Sequence, residues 1–184
     1  MKIVISESQY NRLIEAEEEQ KVLNIPSLKF FNDDWFQLQK FLETKGNPPY
    51  SIGGNLNLRE SLIKSLGNLQ SVGGDLNLYN TPIKSLGNLT SVGGNLDLEN
   101  TPIKSLGNLQ SVGGSLDLEN TSIKSLGNLT SVGGYLILEN TPIKSLGNLQ
   151  SVGGYLDLRK TPLSKMYSEE EIREMINVGG RVLS

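Results

Sequence analysis

The sequence predicts an α/β solenoid: a stack of short coils forming a single parallel β-sheet, with 3₁₀ or irregular return segments and a helical cap at each end. Three observations predict it. From Ser65 the phrase SLGNLQSVGGDLNLYNTPIK returns every 20 residues, at Ser85, Ser105, Ser125 and Ser145, and a partial copy, SIGGNLNLRESLIK, begins at Ser51. Within each unit the apolar spacing switches from two residues to three. Sequences with helical patterning flank the array on both sides.

Residues 1–20, MKIVISESQYNRLIEAEEEQ, form a leader. Ser6 or Ser8 is placed to cap a short helix carrying Tyr10, Leu13 and Ile14, which trails into an acidic run. Residues 21–50 form the N-terminal cap. In it, DDWFQLQKFLET (33–44) reads as a helix with Trp35, Leu38, Phe41 and Leu42 on one face. Aspartates at its start suit the helix dipole, and Gly46 with Pro48-Pro49 ends it. Ahead of it, Leu28-x-Phe30 is expected as a strand preceding the array.

Residues 51–164 hold about six coils. Val92, Gly94, Leu96 and Leu98 lie two apart, the pattern of a strand with one buried face. Ile103, Leu106, Leu109 and Val112 lie three apart, which suits a tight 3₁₀-like or irregular return. Asn100-Thr101-Pro102 and Gly107-Asn108 mark the turns between them. One such coil cannot bury its apolar face alone, whereas stacked coils line a continuous core, each adding a strand at a spacing of roughly 4.8 Å. Gly94 is expected to face inward, letting the opposite wall come close. Residues 165–184 form the C-terminal cap: Ser168 with Glu171 is a capping box opening a helix over 168–176, and VGGRVL (178–183) repeats the strand phrase once more.

The spacing resembles leucine-rich repeats. The family pattern LxxLxLxxNxLxxL maps onto Leu96, Leu98, Ile103 and Leu106, and the VxGxLxL strand with its IxxLxxL return is most similar to receptor L-domains and bacterial internalin-type repeats. Two departures stand out. The family's asparagine position holds Thr81, Thr101, Thr121, Thr141 and Thr161, with Asn80, Asn100, Asn120 and Asn140 one place earlier; the threonines are favoured as the groups that satisfy buried backbone in the turn. A Gly-Gly pair also replaces the first family leucine. The leader resembles uncharacterised proteins of marine tailed phages, and Leu13-Ile14-Glu15 resembles the Leu-x-Glu site cut by phage prohead proteases.

Composition narrows the function. The chain has neither Cys nor His, which removes disulfides, thiolate chemistry, the common proton shuttle and the commonest metal ligands. Of its 20 glycines, 17 fall in the repeated phrases, so the bias is architectural. A net charge of −3 offers no general attraction to nucleic acid or an anionic membrane. No apolar run is long enough for a signal peptide or a membrane span, which points to a cytoplasmic or virion-associated protein. Carboxylates on an open sheet have little to exclude water, so no enzymatic activity and no cofactor are expected.

The repeats differ chiefly at the outward strand positions. The first column reads Asn55, Asp75, Asn95, Ser115, Tyr135, Tyr155; the second Asn57, Asn77, Asp97, Asp117, Ile137, Asp157; the third Arg59, Tyr79, Glu99, Glu119, Glu139, Arg159. In the family this face is the usual ligand surface. Tyr135, Ile137 and Tyr155 make an apolar, aromatic patch, and tyrosine is favoured at binding centres. Beside it Glu99, Glu119 and Glu139 align, as do Asp97 and Asp117, and like charges opposite one another on adjacent strands are destabilising. The candidate ligand residues are therefore Tyr79, Asp97, Glu99, Asp117, Glu119, Tyr135, Ile137, Glu139, Tyr155, Asp157 and Arg159. A protein partner, with a basic surface as one option, is favoured over a divalent cation or a polyanion gripped by Lys64, Lys84, Lys104, Lys124 and Lys144. The alternative class is a structural or virion-associated component that uses the repeat as a rigid spacer or assembly element.

Overall fold

The structure, a computed structural model, describes residues 22–184; the leader and its resemblances lie outside them. The chain winds as a parallel β-solenoid. Each strand phrase bends at its Gly-Gly pair, so the expected single sheet is divided into two parallel ladders side by side. The first ladder has eight segments: Leu23–Ile25, Tyr50–Ile52, Leu69–Val72, Ser91–Val92, Ser111–Val112, Ser131–Val132, Ser151–Val152 and Asn177–Val178. The second has seven: Leu56–Asn57, Leu76–Asn77, Leu96–Asp97, Leu116–Asp117, Leu136–Ile137, Leu156–Asp157 and Val182–Leu183. Register follows the repeat, with Val92 against Val72 and Val112, and Leu96 against Leu76 and Leu116.

The Gly-Gly pair sets how closely coils stack. Gly94 does not face the opposite wall: a Cβ there would overlap Asp75 Oδ1 and the Gly74–Asp75 backbone of the preceding coil. At Gly93, Gly113, Gly133 and Gly153 an added Cβ would land on the glycine carbonyl one coil earlier. The bend brings neighbouring backbones into contact, and only hydrogen fits between them.

Val and Leu of both ladders, with the Ile and Leu of the returns, form one continuous core. The returns are irregular, and a 3₁₀ turn forms in the last of them, at Leu163–Lys165. Each turn is satisfied locally. Thr81, Thr101, Thr121, Thr141 and Thr161 are buried, and their hydroxyls donate to the carbonyls of Leu78, Leu98, Leu118, Leu138 and Leu158 at 2.6–2.8 Å. The asparagines before them adopt left-handed backbone, φ 52–58° at Asn80, Asn100, Asn120 and Asn140, a conformation asparagine tolerates better than most residues. Thr90 and Thr130, which alternate with glutamines along the array, donate to the carbonyls of Gln70 and Gln110 at 3.0 and 2.9 Å.

At the N-terminal end, helix α1 (Trp35–Thr44) is capped by Asp34, whose carboxylate accepts from the N–H groups of Phe36 and Gln37. Trp35, Leu38 and Leu42 are buried against the first coils, and Phe41 packs its ring 5.3 Å from Phe31. Tyr50, buried beneath α1, donates its hydroxyl to Leu66 O at 2.7 Å. The strand preceding the array is Leu23–Ile25, not Leu28-x-Phe30. Ser27 accepts from the N–H of Lys29 and starts a 3₁₀ turn over Leu28–Phe31, which buries Leu28 and leaves Phe30 exposed.

At the C-terminal end, helix α2 (Glu169–Met175) opens on a complete capping box between Ser168 and Glu171. Its Arg173 closes the last edge. In the first ladder the N–H groups of the glycine pair donate to carbonyls of the preceding coil, as Gly113 N does to Val92 O at 2.8 Å. The final coil's carbonyls therefore point outward, where a further strand would pair. Arg173, held by Glu169 at 2.9 Å, donates to Val178 O at 2.9 Å and to Gly180 O at 2.5 Å. A charged side chain on a strand edge discourages strand addition. Arg173→Ala is accordingly expected to increase concentration-dependent self-association in sedimentation velocity; a distribution identical to wild type at high concentration would remove this role. No described helix is long and apolar enough to cross a membrane.

Candidate binding surface

The three outward columns lie on the second ladder and its flanks, and the structure gives most of them work inside the fold. In the first column, Asn55, Asp75 and Asn95 accept, through Oδ1, the backbone N–H of the residue one coil later: Asp75 at 2.9 Å, Asn95 at 2.7 Å and Ser115 at 2.7 Å. Ser115 Oγ continues the chain by accepting from Tyr135 N at 3.0 Å. These side chains differ in name but share an acceptor on a short stem. The chain of bonds ends at Tyr135, which has no acceptor in that place. Its ring instead lies over Gly154 and stacks on Tyr155, with centroids 4.3 Å apart and planes 19° apart, a favoured aromatic arrangement.

The second column also turns out to be structural. Asn57, Asn77, Asp97, Asp117 and Asp157 each accept, through Oδ1, the N–H of the residue two further on, at 2.9–3.2 Å. This side-chain bond holds the end of the strand segment as it enters the turn. Ile137 offers no such acceptor, so Glu139 N–H lacks the bond its counterparts make. In the ladder Ile137 sits between Asp117 and Asp157.

Cations are distributed unevenly over the third column. Arg159 binds Glu139 at 2.7 Å and buried Asp157 at 2.5 Å, and Lys160 binds Glu139 at 2.7 Å. Lys160 is a partner the sequence reading missed, because Glu139 reaches it from the neighbouring coil. At the other end Arg59 binds Glu60 at 3.0 Å and lies 5.4 Å from the centre of the Tyr79 ring. Between these ends, Asp97, Glu99, Asp117 and Glu119 have no ion-pair partner among the described residues. Burial is the main cause that pushes the Asp97 and Glu99 carboxyls upward, with neighbouring carboxylates adding at Glu99. Burial and the charges of Asp97, Glu99 and Glu119 push Asp117 up to about 6, against the opposing bond from Glu119 N–H.

The face thus has three parts in sequence: an Arg–Tyr contact, a carboxylate row without ion pairs, and a Tyr135–Ile137–Tyr155 corner where both internal bonding schemes lapse. Tyr135 is about half exposed, at 49%. Asp157, one of the candidate ligand residues, is 2% exposed and bonded to Arg159, so it is a support of the fold rather than a contact group. Among the described residues no group of three or more His, Cys, Asp or Glu is arranged to hold a metal ion. The lysine column is exposed and makes no ion pair there either. Compared with known proteins, the chain shows no significant match to a family model, to a curated protein or to a solved structure.

Proposed function

We propose that the protein is a non-enzymatic recognition module that binds a protein partner through the exposed face of its second ladder, centred on Tyr135, Ile137 and Tyr155. The observation that carries this reading is the coincidence of two losses. A single coil gives up both the first-column acceptor, at Tyr135, and the second-column acceptor, at Ile137, and replaces them with apolar surface. Local rules that hold through a fold and fail together at one place mark a functional site. Stacked tyrosines present much contact area with little side-chain freedom to lose. In this reading the coil is a short form of the leucine-rich repeat, with the buried threonine column in place of the family's asparagine ladder. The alternative, a structural or phage-like virion component that uses the repeat as a rigid spacer or assembly element, loses one route to assembly, because Arg173 occupies carbonyls at the C-terminal edge where a further strand would pair.

Ile137→Asn tests the site. Asparagine restores an acceptor for Glu139 N–H, as Asn57 and Asn77 provide in their own coils, and adds no charge between Asp117 and Asp157. The variant is expected to be as stable as wild type or up to about 1 kcal/mol more stable, while affinity for a partner captured from the native source falls at least about tenfold. Unchanged affinity would sink the site; lost stability would show that Ile137 serves packing.

A further inference from the structure

The identity of the partner's contact segment can be inferred from the surface that Ile137 borders, and this step rests on the reading of the face as a protein-binding site. The apolar corner does not stand alone. Immediately N-terminal to it along the array, two consecutive coils each present a pair of carboxylates, Asp97 with Glu99 and Asp117 with Glu119, in register across the ladder. The cations that flank the row on this face are engaged elsewhere: Arg159 and Lys160 serve Glu139 and Asp157, and Arg59 serves Glu60. Aligned like charges on neighbouring strands repel; asparagine amides donate to Asp97, Glu99 and Glu119, at 3.2, 3.0 and 3.4 Å, but no cation of the described fold forms an ion pair with any of the four. They hold their place because Asp97 and Asp117 are needed as backbone acceptors, at 3.1 and 2.9 Å from the N–H groups of Glu99 and Glu119. Asparagine does the same work at Asn57 and Asn77 without charge, so the negative charge is not a requirement of the turn.

We propose that the partner docks an extended segment in which two or more lysine or arginine residues stand beside an apolar side chain. The basic groups lie over Asp97, Glu99, Asp117 and Glu119, and the apolar group rests on the Tyr135–Ile137 corner. At roughly 4.8 Å per coil, the acidic pair of coils and the aromatic pair span about 15–20 Å, which about five or six extended residues cover. Complementary charge sets orientation and encounter rate, and the desolvated aromatic corner holds the complex.

The test uses the full chain, immobilised, and a displayed library of random twelve-residue peptides at pH 7.5. Selected sequences are expected to carry an excess of Lys and Arg next to Leu, Ile or an aromatic residue. A synthetic peptide of the selected sequence is expected to lose at least about tenfold in affinity on Asp97→Asn/Glu99→Gln/Asp117→Asn/Glu119→Gln, a variant that keeps both backbone acceptors, and to lose affinity on Ile137→Asn as well. Selected peptides without a basic excess that still respond to Ile137→Asn would overturn the basic-segment inference and leave the binding face standing. Basic peptides that bind both variants as tightly as wild type would overturn the inference and the face together. A rise in melting temperature with calcium alone, abolished by the fourfold variant, would assign the carboxylate row to a cation and overturn the proposal.

Discussion

Gly113→Ala is expected to cost about 3 kcal/mol or more and to split the cooperative unfolding of the array. The added Cβ would fall on the carbonyl of Gly93 in the preceding coil, where a main-chain atom has nowhere to move. Relief requires the two coils to part, which strains the bonds from Gly113 N to Val92 O and from Gly114 N to Gly94 O, 2.8 and 2.9 Å long. Overpacking of this kind costs typically 1–3 kcal/mol, and the weakened pairing adds to it. A solenoid transmits stability only between neighbours, so a fault at this joint separates the coils before it from those after. Gly127→Ala is the control. Gly127 has φ +58° and nothing within 4 Å of an added Cβ, so alanine there carries only the left-handed backbone cost of about 1 kcal/mol. Guanidinium unfolding followed by far-UV circular dichroism separates the two. Equal losses at Gly113 and Gly127 would mean that the glycine pair is not what sets the stacking distance.

Asp117→Asn is expected to stabilise the protein at neutral pH and to do nothing at pH 4. In the unfolded chain this carboxyl ionises near its ordinary value, about 3.9. In the fold, burial and the neighbouring carboxylates push it to about 6. Between those values the native state holds a proton that the unfolded state has released, so stability falls as pH rises through the window, and the full cost is present by pH 7. Because the side chain keeps some access to water, the gain on removing its charge is about 1–2 kcal/mol rather than the larger figure a fully buried group would give. Asparagine keeps the acceptor for Glu119 N–H, so the turn is undisturbed. The raised carboxyls of Asp97 and Glu99 act in the same direction. Thermal melts of wild type and Asp117→Asn at pH 4.0, 5.5 and 7.5 read the effect; a constant difference across the three would show that charge is not its source.

The solenoid could be read from sequence because its core is periodic: the same Val, Leu and Ile columns recur at fixed spacing, and periodicity survives without knowledge of contacts. The buried threonines were legible for a similar reason, since a polar residue repeated at one place in a turn has a fixed partner. Two things were hidden. The division of the sheet into two ladders depends on a backbone bend at Gly-Gly, and a glycine pair does not announce which neighbour its missing side chains let in. The roles of Asn55, Asp75, Asn95 and Ser115 were masked by their differing identities, which read as a variable surface. Their shared property was a short side-chain acceptor, and column-by-column attention to that property, rather than to residue names, would have found the bonded row and the place where Tyr135 ends it. Leu28-x-Phe30 misled because alternation over three residues fits a strand as well as a 3₁₀ turn, and Ser27 decided between them.

The uniform joint between coils also bears on how such a gene changes length. Each interior coil meets its neighbours through the same glycine contacts and the same ladder register. Misaligned recombination between units can therefore add or delete 20 residues, or 40 if the Gln–Thr alternation is kept, without creating a new interface or touching either end. An event in the coils between the N-terminal helix and the tyrosine corner moves the two relative to each other by about 5 Å per coil. The array is in this sense a ruler with a sliding mark: the distance between its two distinctive features is set by the number of coils between them, and selection can tune it in whole steps while the chemistry of each feature stays fixed.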